Sequence, residues 1–312
     1  MALNNKPKVS VIVPNYNHGT FLRDRIDSII NQTYQDFELI LLDDCSTDNS
    51  RIILEEYRNN HHVSQIVYNT NNSGSPFIQW DKGINMAKGE WIWIAESDDK
   101  ASSDFLLSIM EEVEKHPKTV MAYSHSLLID EKNILSPIDF YKHNSGEIII
   151  HDGIKYNHSR MLWNNNIFNA SMVVFARSAY DQVDKDFKKY RCCGDWLFWA
   201  CICNCGEIIE VCKGLNFFRQ HQKRVTEIAS KDGEDWQEAA SLLNKIISLL
   251  NVKGFELSYF KGKWTRDLLA SRCKNKRELQ VKYPLVFGAS IFDKILSKIC
   301  DIIKICPRSS NY

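Results

Sequence analysis

The sequence predicts an α/β protein: a mainly parallel sheet flanked by helices, with a helical C-terminal extension. Three observations predict it. Short runs such as Val9 to Val13 and Trp91 to Ala95 are apolar nearly throughout, as strands buried on both faces should be. Stretches with apolar residues three and four apart lie between them, so strands and helices alternate in βαβ order. Two of the runs end abruptly in acid, Asp43-Asp44 and Glu96-Ser97-Asp98-Asp99. Open α/β sheets bind ligands just there, beyond the carboxyl ends of their strands.

Val9 to Val13 is the first strand, closed by Pro14-Asn15-Tyr16-Asn17. Thr20 is placed to cap a helix from Phe21 to about Asn31, with Leu22, Ile26, Ile29 and Ile30 on one face. Phe37 to Leu42 is the second strand. Ser46 or Asp48 caps the next helix, through Ile52, Ile53 and Tyr57. Val63 to Tyr68 is the third strand. A loop from Asn71 to Ser75 precedes Pro76, which suits the first turn of a helix running to about Lys88. Trp91 to Ala95, bounded by Gly89, is the fourth strand. Phe105, Leu106, Ile109, Met110 and Val113 then mark a helix, and Val120 to Ser124, Ser171 to Ala176 and Glu207 to Val211 read as further strands. Residues 130–168 read as polar and irregular, with scattered His143, His151 and His158 at no zinc-ligand spacing.

At 312 residues the chain has room for one large domain and an appendage, or for two moderate domains. Lys+Arg and Asp+Glu are both 39, so no global basic field points to nucleic acid as a partner. The start from Met1 to Lys8 is polar and no apolar run is long enough for a bilayer. We therefore expect a cytoplasmic protein whose ten cysteines are thiols. Cys201-Ile202-Cys203-Asn204-Cys205 has one-residue gaps, which fit buried thiols better than a zinc knuckle.

Crowded carboxylates repel one another unless a cation joins them. Oxygen ligands of this kind suit Mg²⁺ or Mn²⁺, particularly when a substrate phosphate completes the shell. A solvated acidic turn would read the same way in isolation. No Gly-x-Gly-x-x-Gly and no Gly-Lys-Ser/Thr is present, so bound phosphates would be held by cation and side chains.

Val11-Ile12-Val13-Pro14-Asn15-Tyr16-Asn17, Gln32-Thr33-Tyr34-Gln35-Asp36-Phe37-Glu38-Leu39 and Asp43-Asp44-Cys45-Ser46-Thr47-Asp48 follow one another in order. So do Gly83 to Glu90 leading into Ser97-Asp98-Asp99, Gly194-Asp195-Trp196 and Phe218-Arg219-Gln220-His221. Together they resemble the family 2 glycosyltransferases, over roughly residues 8–226. The resemblance implies a GT-A, Rossmann-like fold and an inverting enzyme. It implies that Pro14, Tyr16, Asp43 and Asp44 hold the base and ribose of a nucleotide, with Asn17 supporting the loop. It implies Asp98 at the ribose or metal, Asp99 as ligand of Mn²⁺ or Mg²⁺, Asp195 as general base, and Arg219 and His221 near the diphosphate or acceptor. Glu96 stands where the usual metal motif has its first acid. Trp80-Asp81 stands where the family often has Arg-Asn. Cys45 replaces a common Gly, which predicts a stiffer turn after Asp44.

The expected function is metal-dependent transfer of a sugar from a nucleotide-diphosphate donor, UDP-linked by preference. The acceptor would be a saccharide or lipid-linked saccharide in surface polysaccharide synthesis. A sugar-phosphate nucleotidyltransferase and a non-catalytic nucleotide-sugar-binding module are the alternatives. The catalytic domain is expected over residues 1–226 and a helical segment over 227–312. In the latter, Phe292, Ile295, Leu296, Ile299, Ile302, Ile303 and Cys306 form one helical face, with Lys294, Lys298 and Lys304 off it. Such a stripe either docks on the body or a partner, or lies on the inner face of the cell membrane through residues 290–306.

Overall fold

The computed structural model describes residues 6–138, 146–221, 234–271 and 273–303. His143, the boundary expected at 226/227, Lys304 and Cys306 lie outside them. Among the described residues nine strands form one sheet. Its first half is parallel: β1 (Val9–Asn15), β2 (Phe37–Asp43), β3 (Val63–Tyr68) and β4 (Trp91–Ile94), in the order β3-β2-β1-β4. β1, β2 and β4 are buried along their whole length, which is why they carry no polar alternation. The polar pair inside them is mutually satisfied: Ser10 Oγ donates to Glu38 Oε1 at 2.7 Å.

Helices α1 (Gly19–Ile30), α2 (Ser50–Glu56) and α3 (Pro76–Met86) connect these strands. α1 does not begin at a Thr20 cap. It begins two residues earlier, at Gly19 with His18 as its N-cap, and the Gly19 N–H donates to Asp48 Oδ2 at 2.8 Å. Asp48 Oδ1 accepts from the Ser50 N–H at 2.9 Å, so one carboxylate serves the starts of both α1 and α2. α3 starts as read, with Pro76 in its first turn and the Ser75 side chain accepting from the Phe77 N–H.

The second half of the sheet is mixed. It contains β5 (Lys100–Ala101), β6 (Thr119–Ile129), β7 (Ile148–Asp152), β8 (Val173–Ala176) and β9 (Glu207–Arg219), with α4 (Phe105–Lys115) between β5 and β6. β8 runs antiparallel between β4 and β6, β6 is parallel to β9, and β5 and β7 pair antiparallel with β9. Two expectations change here. β9 continues well past Val211, and so carries Arg219 to the acidic end of β4. Residues 146–168 are not irregular throughout: Ile148-Ile149-Ile150 pairs with β9, and α5 (Gly153–Tyr156) runs into a π-helical turn at Asn157–Met161. Three apolar residues at a sheet edge are too short a run to show a period.

α6 (Gly194–Cys203) is apolar on all sides and is buried from Trp196 to Cys203. The C-terminal helices are α7 (Glu234–Leu249), α8 (Gly254–Ala270), α9 (Lys276–Lys282), α10 (Pro284–Phe287) and α11 (Ile291–Ile303). They extend the core: Trp163 packs on Tyr259 and Phe260 of α8, with ring centroids 5.1 and 5.6 Å apart. Every described cysteine is a free thiol. Cys201, Cys203 and Cys212 are buried, whereas Cys205 is exposed.

Gly89 turns the chain into β4 against β1. A Cβ there would stand 2.5 Å from the Ser10 backbone nitrogen and 2.7 Å from the Val9 carbonyl carbon. Gly89→Ala is expected to cost about 1–3 kcal/mol. Calorimetry would read this as a fall of roughly 3–10 °C in Tm, and an unchanged Tm would contradict the packing described.

Candidate active site

Loops from the carboxyl ends of β1, β2 and β3 form one wall of the site. The turns at Asn17 and Cys45 have left-handed backbones, with φ of 57° and 64°. Asn adopts this readily, whereas Cys45 holds it at a cost of about 1 kcal/mol or more, which explains the usefulness of Gly there. Asn17 ties the two loops together: its Oδ1 accepts from the Thr47 N–H at 2.8 Å and its N–H donates to Ser46 Oγ at 2.9 Å. Asp43 is buried and accepts from Asn15 Nδ2, the Ser46 N–H and Arg51 Nε at 3.2, 3.1 and 2.9 Å. Asp44 accepts from Asn69 Nδ2, the Ser73 N–H, Ser73 Oγ and Gln79 Nε2, all within 2.9 Å. Both carboxylates therefore shape the wall by organising the loops at 46, 51 and 69–79. Pro14 is buried, and Tyr16 stands 47% exposed at the rim.

The acids after β4 have three different surroundings. Asp99 is buried and its oxygens are filled by protein: Oδ2 accepts from Ser171 Oγ at 2.6 Å and Asn169 Nδ2 at 2.8 Å, and Oδ1 from the Arg219 N–H at 2.9 Å. Burial, with the charge of Asp98, still lifts its pKa to about 6. Glu96 accepts from Trp80 Nε1 at 2.8 Å, and burial beside Asp98 lifts it to about 8. At Asp98 burial pulls the same way, but the 2.9 Å bond to His221 Nε2 and the charges of His18 and His221 outweigh it. Its pKa is held below the ordinary value. Beneath them lies the buried Arg25 of α1, its guanidinium 4.9 Å from the centre of the Trp93 ring. Burial lowers its pKa to about 10, so it remains a cation.

Asp98 is the acid that meets imidazoles. One ligand atom each of His18, Asp98 and His221 lies within 4.8 Å of the others, and the two imidazole rings sit edge to face at 5.6 Å. His18 also reaches Ser97 Oγ through Nδ1 at 2.8 Å. Nothing in the sequence singles out His18 except its place just after the Asn17 turn. Arg219, by contrast, is spent inside the protein. Its guanidinium donates to the carbonyls of Asp98 and Asp130 and to Asn133 Oδ1 at 2.7, 2.9 and 2.8 Å, and lies over the Phe21 ring. It fastens the Asp98 segment to the loop at 130–133. A second group of metal-binding type, His125, Glu210 and Cys212, is buried elsewhere in the sheet. There Glu210 already binds His125 and His151 at 3.0 and 2.8 Å with Arg160 at 3.6 Å, so protein cations and donors balance its charge.

Asp195 lies in the first turn of α6, whose N-cap is Cys193. Its Oδ1 accepts from the Trp196 N–H at 2.8 Å and its Oδ2 from Asn165 Nδ2 at 2.9 Å. Burial raises its pKa to about 7 against these donors. Glu238 of α7 holds the segment leading into it, accepting from the N–H groups of Arg191 and Cys192 at 2.6 and 3.0 Å. α3 joins this helix to the acids. The Trp80 indole that donates to Glu96 packs on Phe198 and Trp199 at 5.6 and 5.9 Å, and a Cβ on Gly194 would touch the Phe77 ring.

The profile described as Glycosyl transferase family 2 matches residues 10–184, more than half of the chain. The chain belongs to glycosyltransferase family 2. TuaG of Bacillus subtilis, named for teichuronic acid biosynthesis, is a family relative 31% identical over 152 residues, which are 49% of this chain and 59% of that protein. Against other first relatives the chain spans less still, 16% and 37% of their lengths. The solved structure of Staphylococcus aureus TarS 1–349 with UDP-GlcNAc superposes with a TM-score of 0.64 at 18% identity, covering 93% of this chain and 78% of that one. The Pyrobaculum calidifontis mannosyltransferase PcManGT with GDP-Man and Mn²⁺ gives 0.56 at 15% identity, covering 96% and 88%. The fold is the GT-A fold that the family resemblance implied.

Adjacent acids with opposite surroundings should behave oppositely on mutation. Asp99→Ala strands three buried donors and is expected to destabilise by about 3 kcal/mol or more. Asp98→Ala removes one bond of a half-buried acid but also removes the charge that repels Glu96 and Asp99, and should cost about 1 kcal/mol or less. Urea unfolding of the two variants decides this, and equal losses would remove the distinction.

Proposed function

We propose that this chain transfers a sugar, with inversion, from a nucleoside-diphosphate donor to a saccharide or lipid-linked saccharide acceptor in surface polysaccharide synthesis. A UDP-sugar is the favoured donor. One observation carries the reading: in a family 2 chain, Asp98 meets His18 and His221 at the end of β4, beside loops organised by Asp44. The UDP-GlcNAc held by TarS and the GDP-Man held by PcManGT support a nucleotide sugar here.

Asp98, His18 and His221 would hold the divalent ion. A carboxylate with two imidazoles suits Mn²⁺ better than Mg²⁺, and Mn²⁺ accompanies PcManGT. Bound there, the ion would offset the negative charge that grows on the departing diphosphate. The ligand role moves from Asp99 to Asp98 because the oxygens of Asp99 are filled by Ser171, Asn169 and Arg219. Asp99 then acts by holding the backbone that presents its neighbour. Tyr16 offers an exposed ring to the base, and Pro14, Asn17, Asp43 and Asp44 set the shape of the pocket around it.

Asp195 is the general base. It accepts the proton of the acceptor hydroxyl as that oxygen attacks the anomeric carbon from the face opposite the leaving group. A pKa near 7 leaves a useful carboxylate fraction at neutral pH and enough basicity to take the proton. The Trp196 N–H and Asn165 stabilise the ionised form. Asn165 belongs to residues 146–168, so the acceptor is expected to lie along that segment.

Because the base works ionised, kcat/KM should rise with pH through about 7 and level off above it. Asp195→Asn should lower transfer by ~10²–10⁴-fold and abolish the rise while donor binding persists. A profile unchanged by the substitution would exclude Asp195 as the base.

Thermal unfolding with UDP, GDP, CDP and dTDP, each with and without Mn²⁺, tests the donor and the ion together. Saturating UDP with Mn²⁺ is expected to raise Tm by roughly 5–10 °C. The shift should vanish in Asp98→Ala and survive in Asp195→Asn. A shift that ignores Mn²⁺ would remove the ion from the reading.

A further inference from the structure

α11 carries five large apolar side chains on one face, and that face points outward. Ile291, Phe292, Ile295, Ile299 and Ile302 are between 48% and 77% exposed. The helix does pack on α8, but by its other side. Gly262 of α8 comes so close that a Cβ there would stand 2.1 Å from the Asp293 carbonyl oxygen and 2.6 Å from Ser297 Oγ. Asp293, Ser297 and Cys300 are buried on that side. The small and polar residues thus make the contact, and the apolar stripe is left uncovered by any described residue. One exposed apolar side chain is ordinary, whereas five on one helical face form a patch.

The charges sort in the same way. Asp293 turns back to accept from the Ser290 N–H and Oγ, both at 2.8 Å. Asp301 accepts from Tyr259 Oη at 2.8 Å and from Arg266 at 2.5 Å. Lys294 and Lys298 border the stripe, and Lys298 is exposed. Outward, then, the described helix shows apolar side chains and the exposed Lys298, with Lys294 half-buried and the half-buried Asp301 already paired with Arg266. Among the described residues no helix is long and apolar enough to cross a membrane.

We propose that α11 seats this chain on an anionic lipid surface. The helix lies flat, its five apolar side chains enter the boundary between headgroups and acyl chains, and Lys294 and Lys298 meet lipid phosphates. Charge complementarity selects lipid over a second copy. Two such stripes face to face would gather four lysines, and the half-buried Asp301 of each helix is already engaged by Arg266 and Tyr259.

The full chain is sedimented with vesicles of phosphatidylglycerol and phosphatidylcholine, and with phosphatidylcholine alone. Binding is expected to the anionic vesicles and to fall with salt. Ile295→Ser with Ile299→Ser changes only exposed side chains, so Tm should hold while binding weakens by about tenfold or more. Lys294→Glu with Lys298→Glu should weaken anionic binding by roughly fivefold per lysine and flatten its salt dependence. The proposal is overturned if the unaltered chain ignores anionic vesicles, or if the serine pair binds them equally well. It is also overturned if the serine pair breaks a dimer in ultracentrifugation while no vesicle binding is seen, which would give the stripe to a second copy.

Discussion

Placing three carboxyl groups within four residues at the end of a buried strand is the constraint on which this molecule turns. Uncompensated, such a cluster would be ruinous for folding. Each acid is accommodated differently. Glu96 is lifted to about 8 and keeps its proton at neutral pH. Asp99 is wrapped by three donors, and Asp98 is drawn towards two imidazoles. Arg25 adds a fixed cation from below, spread over the face of Trp93. The three neighbours thus carry three different sets of partners.

The rest of the architecture follows from supplying those partners. Asn169 and Ser171 arrive just before β8, the strand that reverses direction beside β4. Arg219 and His221 arrive because β9 is long enough to run to the acidic end of the sheet. α3 carries the indole that satisfies Glu96 and then spends the rest of the same side chain against α6, which bears Asp195. The acids after β4 and Asp195 are thus mounted on one continuous aromatic core.

The parallel half of the fold was legible because burial on both faces forces near-continuous apolar runs, and those are visible in Val9–Val13, Phe37–Leu42 and Trp91–Ala95. The motif acids were legible because they interrupt such runs. What stayed hidden depended on distant partners. Asp98 and Asp99 are neighbours with the same chemistry, and only residues 70, 72 and 120 positions away decide which is occupied. His18 gains meaning only from a residue that follows a strand some two hundred positions later. β7 was missed because its apolar run is three residues long.

Glu238 carries a consequence for how such chains can be recombined. The carboxylate sits on the first C-terminal helix, yet it grips the backbone of residues 191 and 192, just ahead of Asp195. The appendage and the sheet are therefore not interchangeable cassettes. A chimera joining this sheet to another relative's tail would inherit every motif residue and still lack the clasp that fixes the last loop. Exchange between such proteins would have to carry loop and tail together, as a matched pair.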